Sequence, residues 1–394
     1  MKKFINEKAD INNPKWNNLI HREKEIYKRE NDLRSDFERD YNRILHSNAY
    51  KRMKHKTQVF FSPTSDHICT RMEHVSHVDS ISYTISNTLG LNTELTKAIS
   101  IGHDLGHAPF GHQGERILSE ISKKYIGDSF WHEKNGVNIV DNIELLEDCN
   151  SNFENMNLTY AVRDGIISHC GEIDENCIKP RNGYIDLNNY TYPNQYSPYT
   201  WEGCVVKISD KISYVCRDIE DSVTLGILDN CSNELHKLLN LNNFENINNT
   251  NVINELVYDL CTNSSFEKGL CFSDKYLNLL NELKAFNYKN IYFCDRIQPS
   301  IRYFEVVLNE ILKSYYSNDL QTSLNKLCHV YPKLGNSFKG FINLFYDFGD
   351  RTFCKNTILF SSNNEKDFYH CILYYISGMT DHFAIEAYQE IIGF

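Results

Sequence analysis

Ile101-Gly-His-Asp-Leu-Gly-His-Ala-Pro-Phe-Gly-His112 is the stretch on which the reading of this chain turns. It begins at the end of an apolar helical segment in which Leu95, Ala98, Ile99 and Ile101 recur at helical spacing. Asn92-Thr-Glu-Leu supplies the start of that helix, and Gly106 is the expected C-cap. His103 and Asp104 therefore stand side by side at a helix end, where both side chains can reach one ion. A lone His-Asp pair says little. Here His103, Asp104, His107 and His112 crowd into one short stretch broken by glycines and Pro109.

Immediately upstream, His74, Val78, Ile81, Ile85 and Leu89 share one face of a predicted helix that Gly90 ends. His74 lies at its core-facing edge, one turn after Arg71, whereas His77 falls off that line and reads as structural or exposed. Downstream, a helix opening at Gly111 puts His112 and Glu115 at i and i+3. That spacing suits an acid/base pair in which a carboxylate orients an imidazole. Trp131-His-Glu-Lys-Asn-Gly136 adds His132 near a turn, and Ala161–Gly171 reads as a helix ending at Ser-His169-Cys. The second decisive stretch is Trp201–Asp221. Val205, Val206, Ile208, Ile212, Val215 and Ile219 mark a mostly buried helix, yet Lys207, Asp210, Lys211, Tyr214 and Asp218 interrupt it at three- and four-residue spacing. Charges in a buried helix are costly unless paired or metal-bound, so this stripe predicts a site.

Totals bound the alternatives. The chain has 394 residues, is 41% hydrophobic and carries a net charge of -11, which excludes polyanion binding by bulk charge. The densest basic cluster is local: Arg39, Arg43, Lys51, Arg52, Lys54 and Lys56, opposite a buried stripe of Phe37, Tyr41, Ile44 and Leu45. It reads either as a solvated face or as a contact for an anionic ligand or partner chain. The charge run from Arg22 to Glu30 is mixed in sign and reads as a solvated helix face. Thirteen cysteines without a CxxC pair read as buried, reduced thiols. No apolar signal core opens the chain, and no run approaches the roughly 20 apolar residues of a membrane span. A soluble, cytoplasmic protein with no membrane contact is expected. Gly183–Tyr199 is a turn-rich loop of the kind that borders sites. Beyond residue 225, segments around Leu235–Leu241, Val252–Leu260, Tyr276–Leu283, Ile301–Tyr316 and Phe338–Phe348 are helical by period. Strand signals are few, so the expected fold is all-α.

Two imidazoles and two carboxylates suit a divalent ion, and four protein ligands favour an octahedral ion over tetrahedral zinc if water and substrate are also to bind. Arg71, Lys207 and Lys211 could neutralise phosphates, Tyr214 could wall a sugar, and Asp218 could accept from a sugar hydroxyl. The constellation reads as a metal phosphohydrolase site for a nucleotide.

These residues resemble the HD-domain deoxynucleoside triphosphate triphosphohydrolases, a dGTPase-like bacterial group with vertebrate relatives. The resemblance rests on Arg34-Ser-x-Phe-x-Arg-Asp-x-x-Arg-Ile-x-His-Ser47, Lys56-Thr-Gln-Val59, Arg71-x-x-His74, the stretch from His103 to His112, Trp131-His-Glu133, Asp210-x-Ile-Ser-Tyr214 and Gly378-Met-Thr-Asp381. Their order and spacing span most of the chain. The resemblance implies an HD-domain helical core over about 66–225 and accessory C-terminal helices over about 226–394, within a single unit. It implies His74, His103, Asp104 and Asp210 as ligands of a divalent ion (Mn, Mg or Fe, with Ni or Zn as alternatives). It implies His112 with Glu115 as the catalytic pair and His132 near the phosphates. Arg71 and Lys211 would contact phosphates, Tyr214 and Asp218 the sugar, and Gln58 its 3′-hydroxyl. The implied reaction converts a dNTP and water into deoxynucleoside and inorganic triphosphate. A homo-oligomer (hexamer or tetramer), a nucleotide effector and weak single-stranded nucleic-acid binding are the expected associations. Lys211 and His382 depart from the common bacterial pattern. Competing readings are an HD phosphodiesterase or 5′-nucleotidase, and a non-enzymatic regulator that uses the basic cluster.

Overall fold

A computed structural model describes residues 2–24, 31–61, 67–148, 150–170, 176–228, 232–241, 249–315, 320–347, 356–362 and 364–393. Helices dominate, and the strands are one antiparallel hairpin of β1 (Leu145–Glu147) and β2 (Phe153–Asn155) plus isolated bridges among the described residues. Near the N-terminus, α1 (Trp16–Leu19) precedes α2 (Asp36–His46) and α3 (Asn48–Arg52). The helix expected within Arg22–Glu30 falls largely on residues 25–30, outside the described residues. Arg22 itself is tied inward, to Asp40 at 2.5 Å and to the Asn157 carbonyl at 2.8 Å.

The central layer is α4 (Arg71–Leu89), α5 (Thr93–Gly102), α8 (Tyr160–Ser168) and α9 (Trp201–Thr224). Helix α4 starts with a full capping box between Thr70 and Glu73, and ends where Gly90 takes φ +86°, a conformation open to glycine at little cost. Helix α5 is capped by Asn92 and ends at Gly102, earlier than Gly106. Gly106 has a different role. A Cβ there would meet the His132 carbonyl at 1.9 Å and the Gly136 nitrogen at 2.3 Å, so glycine lets α7 (His132–Asn138) press against the turn after His103. Between them, α6 (Gly111–Tyr125) begins after Phe110, which holds φ +65°.

Three apolar cores surround this layer. One joins Ile81 and Ile85 of α4 to Ile208, Ile212 and Val215 of α9, and recruits α11 (Asn249–Asn263) and α12 (Asp274–Asn287), which follow α10 (Ser232–Leu241). A second joins Val75 and Val78 to α2, α5 and α8, with Trp131 and Val206. The third packs Phe110, Ile117 and Phe130 against α13 (Gln298–Ser314), α14 (Leu320–Val330), α15 (Pro332–Phe345), α16 (Glu365–Ser377) and α17 (Asp381–Ile392). The region after residue 225 therefore flanks the centre on two sides.

Two expectations are corrected. The cysteines are not all free: Cys177 is bonded to Cys271, joining the chain after α8 to the segment before α12. Cys69, Cys170, Cys204, Cys216, Cys261, Cys294, Cys328 and Cys371 are not disulfide-bonded. Nor is the basic cluster a surface patch. Arg39 is buried beside Asp32, Arg43 donates to the Met156 and Asn155 carbonyls, and Arg52 reaches Glu144. Lys56 is buried on the His107 and Ser377 carbonyls. Only Lys51 and Lys54 of the six remain exposed. These cations satisfy carbonyls and carboxylates that the fold itself buries.

Candidate metal centre and acid/base cluster

The three helices of the central layer that carry the motifs bring His74, His103, Asp104 and Asp210 together, from positions up to 136 residues apart. His74 Nε2 lies 2.9 Å from Asp210 Oδ1 and 3.7 Å from Asp104 Oδ2. His103 Nε2 lies 3.3 Å from Asp104 Oδ1 and 3.9 Å from Asp210 Oδ1. Ligands about 2.1 Å from one ion stand roughly 3.0 Å apart in an octahedral cis pair and 3.4 Å apart in a tetrahedron, and the four separations straddle both. The tautomer agrees. His103 Nδ1–H donates to the Ser100 carbonyl at 2.6 Å, which leaves the Nε2 lone pair buried with no hydrogen-bond partner and aimed at the two carboxylates. An orphaned buried acceptor beside two carboxylates fits a divalent cation.

Electrostatics point the same way. Burial raises the pKa of Asp104, but His103, Arg71 and His107 outweigh it and hold the carboxyl well below its usual range. Burial opposes the imidazolium of His74, and its bond to Asp210 with the charge of Asp104 raises it nonetheless. Asp210 is the most exposed of the four, with 15% of its side chain accessible, so the open face lies on its side.

Arg71 is committed more heavily than the sequence indicated. It is 1% exposed, bonds Asp104 Oδ2 at 2.9 Å through one terminal nitrogen, and donates to the Thr57 and Gln58 carbonyls at 3.2 Å. It positions Asp104 and the Thr57–Gln58 segment. The Gln58 side chain is buried, and its Oε1 has no hydrogen-bond partner. Lys211 is buried beside Asp210, and Tyr214 lies half-buried one turn on, against the first core. Lys207 is buried as well and bonded to Asn194. Asp218 is buried and accepts from Tyr292, whose position far downstream gave no signal; burial pushes the Asp218 pKa up to about 7.

The acid/base cluster is larger than an i, i+3 pair. Glu115 Oε2 is 3.6 Å from His112 Nδ1, but its tightest bonds are to His132: 2.9 Å to Nδ1 and 3.0 Å from Oε1 to the backbone N–H. Half of the His112 side chain is exposed (54%), so it is the accessible member. Burial opposes a charged His132, yet Glu115 and Glu133 overturn that and raise its pKa to about 10. Glu115 is correspondingly held well below its usual range, against the effect of burial, chiefly by His132. His107 stacks on His132 with ring centroids 3.7 Å apart, and its Nε2 sits 3.2 Å from Asp104 Oδ1, linking the cluster to the metal centre.

A carboxylate from the far end of the fold locks this region. Asp381, at the first turn of α17, accepts from the Thr57 N–H and the Phe110 N–H, both at 2.8 Å. A cavity of about 620 Å³ lies beside the start of α17, lined by residues such as Arg52, Phe341, Tyr374 and Met379 and by none of the metal-centre residues.

His169, Glu133 and Tyr292 escaped the sequence reading as site residues. For His169 a signal existed. Like His103 it ends an apolar helix, and like His103 it spends Nδ1 on the carbonyl three residues back, that of Ile166, at 2.6 Å.

A family model described as an HD domain matches residues 71–215. The deoxyguanosinetriphosphate triphosphohydrolase-like protein of Rickettsia felis is 31% identical over 369 residues, covering 91% of this chain and 92% of the relative. The protein of the same name from Rickettsia bellii is 31% identical over 374 residues, with 91% and 92% covered. That of Rickettsia akari is 32% identical over 373 residues, with 91% and 90% covered.

Proposed function

The chain belongs to the HD-domain, deoxyguanosinetriphosphate triphosphohydrolase-like family, and from that premise we propose that it hydrolyses dNTPs to deoxynucleoside and inorganic triphosphate. Metal-dependent phosphohydrolase activity is the general reading of its HD motif, family and side-chain clusters. The observation that supports the finer reading is the juxtaposition of two clusters bridged by His107: the metal centre and a half-exposed imidazole held by a partly buried carboxylate.

His74, His103, Asp104 and Asp210 would hold the ion. When bound, a divalent ion polarises a phosphoryl oxygen and lowers the pKa of water. Arg71 fixes the Asp104 carboxylate through a 2.9 Å bond, so that this side chain needs no reorganisation on binding. His112, kept in orientation by Glu115, delivers a proton to the leaving oxygen as the ester bond breaks. Lys211 offsets phosphate charge, and Arg71 adds its fixed positive charge to the phosphate region. Tyr214 and Asp218 bound the sugar, with Gln58, whose buried Oε1 can accept from a 3′-hydroxyl. A homo-oligomer and a nucleotide effector belong to the same proposal.

The test is product analysis with each dNTP and Mg or Mn. Deoxynucleoside and intact triphosphate support the reading. Monophosphate with pyrophosphate, or orthophosphate alone, refutes it in favour of a phosphodiesterase or nucleotidase on the same centre.

A further inference from the structure

We propose that His169 is a positioning residue that acts through His132, and that His132 in turn serves to hold Glu115 and His112 without donating a proton of its own. The inference rests on the phosphohydrolase reading above and adds to it a residue which that reading does not use.

The argument begins with hydrogen-bond inventory. His169 is 1% exposed at the end of α8. Its Nδ1 meets the Ile166 carbonyl at 2.6 Å. A carbonyl only accepts, so Nδ1 carries the hydrogen and a neutral His169 presents a lone pair at Nε2. That lone pair faces His132 Nε2 at 3.4 Å. The other nitrogen of His132 meets the Glu115 carboxylate at 2.9 Å, again an acceptor. Two ring nitrogens that face each other, each on a ring whose far side already donates, need one proton between them. It belongs to His132. The far nitrogen of His132 rests on the Glu115 carboxylate at 2.9 Å, which favours a doubly protonated ring, whereas the far nitrogen of His169 rests on a neutral carbonyl.

Both N–H groups of His132 are therefore committed inward, one to Glu115 and one to His169. Its ring is further fixed by the stacked His107, and His169 is wedged edge-on against His103, with ring centroids 4.9 Å apart. The chain Ile166 carbonyl, His169, His132, Glu115, His112 runs from buried backbone to the half-exposed imidazole. Removing its second link leaves a buried N–H of a charged ring without an acceptor, and the ring turns or sheds its proton.

The test compares His169→Leu with His169→Gln in the full-length, metal-loaded protein. Leu fills the space without an acceptor; Gln restores an acceptor oxygen. His169→Leu should lower kcat by on the order of 10–100-fold, the usual cost of losing an outer partner of a functional His. KM should stay near wild type, bound metal should be unchanged, and His169→Gln should recover most of the loss. Nitrogen-15 imidazole spectra read the same link without substrate: His132 should show both ring nitrogens protonated in wild type and lose one of those signals in His169→Leu. Wild-type kcat in His169→Leu would overturn the inference. So would equal losses in Leu and Gln, which mark mere packing, or loss of metal in both, which marks a ligand. Failure of the wild-type protein to hydrolyse any dNTP counts against the proposed function instead, and the spectra then judge the link alone.

Discussion

Asp381→Ala removes the acceptor for two backbone N–H groups that belong to different parts of the site, the partly buried one of Thr57 and the buried one of Phe110. Each orphaned donor costs about 1–3 kcal/mol. Phe110 gives some of this back. Its left-handed φ of +65° stores roughly 1–2 kcal/mol, which is released once the loop is free. The lower half of the range is therefore the better estimate, and the net local loss should be about 2–4 kcal/mol. Hydrogen exchange followed by mass spectrometry is the suitable assay, because the loss is local. Amides around Phe110 should exchange roughly 30- to 700-fold faster, at about tenfold per 1.4 kcal/mol, while those in α4 and α9 keep their protection. Hydrolysis should fall with it, because the loop that frees itself carries His107 and leads directly into His112. Asp381→Asn should be intermediate: its oxygen serves one N–H while its amide faces the other. Unchanged exchange at Phe110 in Asp381→Ala would refute the clamp, and unchanged activity alongside faster exchange would separate the clamp from the chemistry.

Other consequences are as direct. His103→Ala and Asp210→Asn should each abolish stoichiometric metal binding, measured by elemental analysis, while leaving the helical circular dichroism intact; retained metal in either variant would place the centre elsewhere. The His132–Glu115 pair makes stability pH-dependent. The folded pKa of His132 is raised to about 10 from 6.5, so its contribution is complete below about pH 6.5 and is lost as pH rises toward 10. The urea-stability gap between wild type and Glu115→Gln should shrink across that window, and a gap that widens contradicts the assignment. The Cys177–Cys271 bond closes a loop across 94 residues, for which chain entropy gives about 4–5 kcal/mol. Non-reducing digestion should recover the two cysteines in one linked peptide, and reduction should lower the denaturation midpoint; Cys177→Ser should match the reduced protein.

The helices and the metal-centre candidates were legible because their signals are local. An apolar face at helical spacing, a helix-ending Gly90 and a His-Asp pair can each be read within a few turns of sequence. The charged stripe of α9 was legible for the opposite reason: Asp210, Tyr214 and Asp218 stand out against an apolar background. What could not be read is where long side chains end. Arg39, Arg43 and Lys56 look alike on a helical projection, yet Arg39 turns back to Asp32 while Arg43 and Lys56 meet carbonyls supplied by distant chain. Tyr292 reaches Asp218 across 74 residues and Asp381 reaches Phe110 across 271. No periodicity carries such pairings. The i, i+3 reading of His112 and Glu115 named two side chains that lie 3.6 Å apart but missed the closer neighbour, because His132 approaches Glu115 to 2.9 Å from another helix.

The three apolar cores have a bearing on how the protein fails. His74 and Asp210 ride on helices shared by the first two cores, His112 and Glu115 ride on a helix of the third, and His132 follows directly on Phe130 of the third and Trp131 of the second. The donors meet at separations near 3–4 Å, so a slight loosening of any one core against its neighbours pulls the constellation apart. Secondary structure would hardly register such a shift. Inactivation in mild denaturant should then run ahead of the loss of helix, and the two midpoints should fail to coincide. In this fold the fragile quantity is the register between cores rather than the integrity of any one of them.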